Sequence, residues 1–548
     1  MSTRITTEFG QAVPPAPRHA VTVHMGSEWA IAVQFGADAP SVIAKFKNTY
    51  PRTRPHRDIA QLSEAVLKHV GSTGKACLLF PSLQSAKQCV EYATSSKRDD
   101  GIDNKPLEAD ELVIRAFAAK DHFLAVIFPS DKYRVVAGFW STVGAGVTSR
   151  FAEANLAHLD KLREVSIQEA EADRANFDST AHETLRERIL SLLKRAPLST
   201  NPPLMVTTND IYLYQSGMAS IFKPHSYLLD DCPGASVLFG MAFMDTVTTL
   251  EQVGPGSKFF GAASDENILE LESYLRDSRA KGQKVQAIWV EFPANPLLHC
   301  PDIAQLRRLA TEYDVVLGID DTIGSWANID VIGMADILVT SITKSFNGYA
   351  DVIGGTTILN PSSPKYNELK PLFDARYVSD FYIDDAEAIE RNSRDYLDRS
   401  AKLNSNASAV VEYLHSRARD PNSAVHRVHY PSVNPSGDNY RRFMRPETPD
   451  FSPGYGCVFS VELDDIDTAK VFYDNLNVHK SVHLGAPFTL AFAYTLCAYQ
   501  KRLDWAAQFG LKPTQIRISV GLEHMSTLIE DFRVAVEAAD QSKKLVSK

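Results

Sequence analysis

Between residues 210 and 344, short apolar strand patterns alternate with helical spacing, and several of these strands end on a residue that can do chemistry. Asp210-Ile211-Tyr212-Leu213-Tyr214 reads as a strand, and Gln215-Ser216-Gly217-Met218-Ala219-Ser220-Ile221 as a turn into a helix. Residues 285–290 form a strand pattern ending at Glu291-Phe292-Pro293-Ala294-Asn295-Pro296, and residues 303–313 a helix. Val315-Val316-Leu317-Gly318-Ile319 leads into Asp320-Asp321-Thr322, and residues 337–340 lead into Ser341-Ile342-Thr343-Lys344. Strands alternating with helices imply a parallel sheet, and ligands of such sheets sit beyond the carboxyl ends of the strands. Gly217, Asn295, Asp320 and Lys344 can therefore converge on one crevice.

Lys344 leaves a hydrophobic run, so its amine is placed to be desolvated. Desolvation lowers a lysine pKa and makes the amine a usable nucleophile. Pyridoxal phosphate is the aldehyde cofactor that needs such an amine, as a Schiff base. Gly217 lets backbone approach an anion at a helix start, where free N–H groups bind phosphate. Ser341 and Thr343 place hydroxyls within reach of the same phosphate. Asp320 is the carboxylate expected to keep a pyridine nitrogen protonated, because a residue at the strand end is better held than its neighbour Asp321. A plain helix cap is the alternative for the pair. Asn295 can hydrogen-bond the ring's phenolic oxygen.

With 44% hydrophobic and 23% charged residues in 548, the chain can bury a large core. Its net charge of −10 argues against nucleic acid as a partner. The six cysteines (Cys77, Cys89, Cys232, Cys300, Cys457, Cys497) include no Cys-x-x-Cys pair, so neither a disulfide framework nor a metal site is expected. Residues 1–10 lack the apolar core of a signal peptide, and no apolar run reaches a membrane span of about 18 residues. A cytosolic location is expected, with no membrane partner.

The flanking segments carry less information. Residues 1–145 open on a Pro-rich lead (Val13-Pro14-Pro15-Ala16-Pro17) and a basic loop (Tyr50-Pro51-Arg52-Thr53-Arg54-Pro55-His56-Arg57). They then show strand-like pieces at 76–81 and 123–129, with a polar surface loop over 95–105 between them. No catalytic constellation stands out there, and His56 and His122 read as packing or surface residues. The spacing predicts helices over 151–172 and 181–195, with Gly144-Ala145-Gly146 as a turn ahead of the first. Residues 391–414 read as a long helix and 456–463 as a strand. The stretch 430–453, rich in Pro, Asn and Arg, reads as a surface insertion.

Ser216-Gly217-Met218-Ala219, Glu291-Phe292-Pro293-Ala294-Asn295-Pro296, Asp320-Asp321-Thr322, Ser341-Ile342-Thr343-Lys344 and Arg517-Ile518-Ser519-Val520-Gly521-Leu522-Glu523 together resemble the motif series of the Cys/Met-metabolism family of pyridoxal-phosphate enzymes. The leading segment, with Phe9-Gly10-Gln11-Ala12-Val13-Pro14-Pro15, Tyr50-Pro51-Arg52 and Ser149-Arg150-Phe151-Ala152-Glu153, is similar to that of fungal cystathionine γ-synthases. The resemblance implies an α/β, fold-type-I, aspartate-aminotransferase-like architecture. It divides the chain into an N-terminal extension (1–145), a large cofactor-binding domain with a mostly parallel sheet (146–388) and a smaller α/β C-terminal domain (389–548). It also implies a homodimer or homotetramer with active sites shared between subunits.

Carried over by position, the resemblance gives Gly217 and Met218 N–H groups, Ser341 and Thr343 hydroxyls, and an arginine to the phosphate. That arginine is Arg150, lent by the neighbouring subunit, with Arg52 as its rival. Thr322 joins the cofactor shell, and Arg517 clamps the substrate α-carboxylate. Two positions depart from the family's pattern. Phe239, in Leu238-Phe239-Gly240, stands where the family stacks a tyrosine on the ring, and His483 stands in place of a serine beside the substrate. A second family tyrosine is missing if Thr148-Ser149-Arg150 is the family's Tyr-Ser-Arg.

The expected activity is γ-replacement on an O-acylated homoserine, with cysteine as nucleophile, Lys344 as the proton shuttle and cystathionine as product. A secondary-metabolism enzyme using another carbon, nitrogen or sulfur nucleophile is the first alternative, and a lyase is a further one. A cofactor-binding regulatory subunit is the alternative outside catalysis.

Overall fold

The computed structural model describes residues 5–13, 18–98, 105–172, 177–199 and 203–546. Its centre is a seven-stranded sheet in the order β5-β11-β10-β9-β8-β6-β7. These strands are β5 (Ile211–Tyr214), β6 (Ala235–Phe239), β7 (Ser257–Phe260), β8 (Val285–Glu291), β9 (Val316–Asp320), β10 (Ile337–Thr340) and β11 (Gly355–Leu359). Every neighbouring pair is parallel except those made by β11, which runs against β10 and β5. β8 and β10 are apolar and buried almost throughout because helices cover both faces. The covering helix Ile303–Tyr313 shows how the sequence sets one such element. Asp302 caps it by accepting the N–H groups of Ala304 and Gln305, and it turns Ile303, Leu306, Leu309 and Ala310 inward. Asp314, with φ 59°, ends it.

Two antiparallel-rich sheets flank this core. β1 (Lys75–Phe80), β2 (Val113–Ala118), β3 (His122–Pro129) and β4 (Arg163–Val165) form one, in the order β1-β3-β2-β4. β12 (Val425–His429), β13 (Val458–Leu463), β14 (His479–Lys480), β15 (Leu490–Phe492) and β16 (Gln515–Ser519) form the other. The leading segment runs along the C-terminal sheet. The Met25 N–H donates to the Lys480 carbonyl (2.8 Å), and Trp29, at the start of the helix Trp29–Ala37, is buried in that sheet's core. Among the described residues no helix is long and apolar enough to cross a membrane.

Several sequence expectations change here. The helix expected over 151–172 is broken into Ser149–Leu156 and Ile167–Ala172, with β4 between them. β4 pairs with β2 (Ala116 opposite Val165), and that tertiary pairing overrides the helical spacing. The helix expected over 391–414 is Tyr396–Arg417, beginning five residues later because the preceding helix, Ile383–Asn392, ends just before it. Residues 14–17 of the Pro-rich lead and 99–104 of the polar tract lie outside the described residues.

The stretch 430–453 is not a surface insertion. It carries the helix Gly437–Phe443, and its Tyr440 and Phe443 are buried against Phe292 (ring centroids 6.1 and 5.7 Å). Arg445, 3% exposed, donates to the carbonyls of Trp326 (2.8 Å) and Leu193 (3.3 Å). The loop thus ties the C-terminal part to the central sheet. Arg445→Ala would leave those buried carbonyls unpaired and should cost about 3 kcal/mol, read as a shift of the chemical-denaturation midpoint.

Candidate functional site

The cleft lies beyond the carboxyl ends of β5, β6, β8, β9 and β10. Parallel register sets its floor. Glu291 and Asp320 end adjacent strands as direct partners, and Asp320 is opposite Val339 on β10. Strand alternation then separates the Asp pair. Asp320 lines the cleft and accepts the Thr322 N–H (2.9 Å), whereas Asp321 turns inward to accept the Thr340 hydroxyl. Glu291 accepts the N–H groups of Phe243 (2.6 Å) and Asn295 (3.0 Å). Burial first, and the neighbouring Asp320 charge second, push the Glu291 carboxyl up to about 8. Burial likewise raises Asp320.

Lys344 is half-buried, four residues beyond β10. Its Nζ lies 5.2 Å from the centroid of the Tyr50 ring and 3.5 Å from His483 Nδ1. Burial lowers its pKa, and the charges of Arg52 and Arg517 lower it further, against an opposing contribution from Tyr50. Burial alone would raise the Tyr50 phenol, but Lys344 and Arg52 outweigh it and hold the phenol below its usual value. His483 is buried and pushed well below the usual histidine value by burial, then by the Lys344 and Arg517 charges. Its Nε2 has no hydrogen-bond partner among the described residues.

At one end of the cleft Gly217 and Met218 lead into the helix Ala219–Asp231. A Cβ on Gly217 would stand 2.6 Å from the Ser341 side chain, so only glycine permits this approach. Arg52 enters here, its guanidinium paired with Asp245 (2.5 Å) and 5.4 Å from the centroid of the Phe243 ring. At the other end Arg517 donates to Asn295 Oδ1 (3.2 Å) and to the Val482 carbonyl (2.6 Å), and its guanidinium lies 4.9 Å from the Tyr494 ring centroid. Burial brings its pKa down to about 10.

Gly217, Met218, Asn295, Asp320, Thr322, Ser341, Lys344 and Arg517 therefore meet as the sequence led us to expect. Four expected residues do not line the cleft. Phe239 closes β6 and packs into the core against Phe260 (6.2 Å); Phe243, four residues on, takes the cleft wall. The Thr343 hydroxyl donates to the Gly354 carbonyl (3.0 Å) and accepts the Gly354 N–H (2.9 Å), so it is spent on the fold. Arg150 pairs with Asp351 and Asp385 outside its own chain's cleft, and Arg52 lines that cleft. His483 sits beside the Lys344 amine rather than on the cleft wall.

Tyr50, Phe243 and Glu291 were missed as site residues. The first stands beside Arg52 in the basic loop, and the last is the first residue of a motif already in view. Only Phe243 carried no sequence signal.

The donor set fits pyridoxal phosphate. It offers a desolvated amine, an arginine beside the Gly217–Met218 helix start at one end, and two carboxylates whose raised pKa values fall when a cationic ring nitrogen approaches.

Comparison with known proteins agrees. Residues 203–537 match the family described as Cys/Met metabolism PLP-dependent enzymes, and residues 58–148 match the fungal trans-sulfuration enzyme N-terminal domain. A cystathionine gamma-synthase-like enzyme of Amanita muscaria is 33% identical, over 98% of this chain and 97% of its own. The cystathionine gamma-synthase of Neurospora crassa is 30% identical, over 98% and 99%. An alanine racemase of Aspergillus violaceofuscus is 31% identical, over 96% of both. Among solved structures, cystathionine gamma synthase from Xanthomonas oryzae superposes with a TM-score of 0.53 at 20% identity, covering 67% of this chain and 87% of that one.

A lowered pKa means that the Lys344 amine is neutral at a pH where surface lysines are still charged. Reductive methylation of cofactor-free protein, followed by peptide mapping, should therefore reach half-maximum at Lys344 at a lower pH than at exposed lysines.

Proposed function

Because the chain belongs to the Cys/Met metabolism family of PLP-dependent enzymes, we propose that it replaces the γ-substituent of an O-acylated homoserine, with cysteine as nucleophile and cystathionine as product. The observation that carries this reading is the position of the Lys344 amine between two guanidinium-bearing ends, Arg52 and Arg517. One end suits the cofactor phosphate and the other the α-carboxylate of an amino acid. Full-length similarity to the Neurospora crassa cystathionine gamma-synthase supports the substrate class.

Bound here, pyridoxal phosphate supplies the electron-accepting ring that makes the protons at the α- and β-carbons removable. Gly217 and Met218 N–H groups, the Ser341 hydroxyl and Arg52 would hold its phosphate. Asp320 would keep the ring nitrogen protonated, with Glu291 beside it reinforcing the negative floor. Asn295 would bind the phenolic oxygen, and Phe243 would cover the ring. Arg517 fixes the substrate carboxylate. Lys344, its pKa lowered by burial, would take the α-proton and then carry protons between carbons. Tyr50, with its depressed phenol, stands over the same amine and can hold a proton that Phe243, lacking a hydroxyl, cannot.

A second reading keeps the γ-replacement and changes the nucleophile. It is favoured by His483, which puts a neutral imidazole with an unpartnered Nε2 beside Lys344, and by relatives bearing other names. The intact Lys344, Asp320 and Arg517 set argues against a regulatory subunit without turnover.

Acylated homoserines with cysteine and competing nucleophiles, read by mass spectrometry, decide between the readings. Cystathionine as main product supports the first, adducts with other nucleophiles support the second, and no consumption of any ester sinks both. Borohydride treatment of the loaded protein should fix the cofactor on Lys344, and Lys344→Ala should abolish both fixation and turnover. Asp320→Asn should reduce activity by about 100-fold while cofactor is still bound. Asp321→Asn should be much milder, because burial already pushes that carboxyl up to about 8 and a neutral amide can still accept the Thr340 hydroxyl.

A further inference from the structure

We propose that Tyr494 is a positioning residue for the amino-acid substrate: its hydroxyl ties the Asn295 side chain to the turn that bears Phe243, so that the Arg517 end of the cleft and the Phe243 wall are held as one unit. The proposal rests on the reading of Arg517 as the α-carboxylate site.

Three separate parts of the chain meet at this point. β16 carries Arg517, and β15 pairs with it so that Phe492 stands opposite Arg517. Tyr494 follows two residues later, at the start of the helix Tyr494–Tyr499. Asn295 lies in the turn after β8, and Phe243 and Met244 in the turn after β6. Glu291, Asn295, Tyr494 and Arg517 are all buried, so their polar groups need partners inside the protein.

Two bridges join the turns after β6 and β8. Glu291 makes the first through the backbone, where its two carboxylate oxygens accept the N–H groups of Phe243 (2.6 Å) and Asn295 (3.0 Å). Tyr494 makes the second. Its Oη accepts the Met244 N–H (3.3 Å) and a hydrogen from Asn295 Nδ2 (3.3 Å). With Nδ2 held there, Asn295 Oδ1 faces Arg517 and accepts from its Nη1 (3.2 Å).

The Arg517 guanidinium is thereby set from three sides: by Asn295, by the Val482 carbonyl (2.6 Å) and by the Tyr494 ring, whose centroid is 4.9 Å away. Burial raises the Tyr494 phenol, so it stays a neutral hydroxyl and leaves the guanidinium charge for a carboxylate ligand. Tyr494 does not line the cleft and so acts through Asn295 and Arg517. Losing the hydroxyl alone keeps a ring beside Arg517 and keeps the Glu291 bridge. It strands two buried donors, the Met244 N–H and Asn295 Nδ2, and releases the amide that orients the guanidinium. The penalty therefore falls on ligands that carry an α-carboxylate.

Tyr494→Phe is compared with wild type in two measurements. In cofactor-free protein, amide hydrogen exchange resolved to single residues should be faster at Met244. It should be unchanged at Phe243 and Asn295, whose N–H groups Glu291 still accepts. Unchanged exchange at Met244 would overturn the proposal. In cofactor-loaded protein, the dissociation constant of L-homoserine, read from the cofactor absorbance, should rise about tenfold, while that of L-homoserine α-amide should change less than about twofold. An equal loss for both probes, or no loss for either, would make Tyr494 a packing residue and overturn the proposal. Arg517→Ala, with its cofactor affinity as the check on folding, separates the two readings. If it bound both probes as wild type does, the carboxylate role of Arg517 would fall and the proposal with it. If it lost L-homoserine while Tyr494→Phe did not, Arg517 would keep its role and Tyr494 alone would be overturned.

Discussion

Desolvation of the Lys344 amine is the constraint to which the rest of the cleft answers. A half-buried lysine keeps a lowered pKa only if no carboxylate pairs with it, and Asp320 and Glu291 are accordingly kept on the floor, with Asp320 capped by the Thr322 N–H and Glu291 by those of Phe243 and Asn295. Two guanidinium groups then push the amine further toward neutrality from opposite ends. The same two groups make those ends suitable for anions. One arrangement of charge thus lowers the pKa of the amine in the middle and presents a guanidinium at each end of the cleft.

That arrangement is carried by elements far apart in the chain. β8, β9 and β10 end in register, which puts Glu291 beside Asp320 and Ser341 beyond Val339. The C-terminal sheet delivers Arg517 on β16 and His483 on the loop before β15. The leading segment delivers Tyr50 and Arg52. Arg445 and the aromatic helix Gly437–Phe443 hold the C-terminal part against Phe292, next to the strand end that bears Glu291. The long connection over 430–453 therefore positions the site, although no residue of it lines the cleft.

Legibility differed by residue for physical reasons. Gly217, Asn295, Asp320 and Lys344 follow strand ends of a parallel sheet, where the fold rule itself says a ligand sits, and all four are there. Asp320 over Asp321 was readable because side chains alternate along a strand. Thr343 failed because a hydroxyl has two uses, and the Gly354 backbone claims this one. Phe239 failed because one residue of register decides between core and cleft, and the chain turns only after Gly240, whose φ of 87° bends it. Arg150 lies outside its own chain's cleft because two buried carboxylates, Asp351 and Asp385, hold it there.

The chemistry of this chain was set by sequence alone: a strand-borne lysine, a carboxylate, an amide and a glycine turn, ordered by alternating strands and helices into one crevice. Local pattern suffices there because each residue sits at the end of an element whose direction the pattern dictates. Tertiary structure alone decided which arginine and which aromatic ring complete the cleft, and from which part of the chain they come. Those choices depend on long-range packing: Arg52 against Asp245, 193 residues away, and Tyr50 against Lys344 and His483. No periodicity or short motif encodes a contact at that separation.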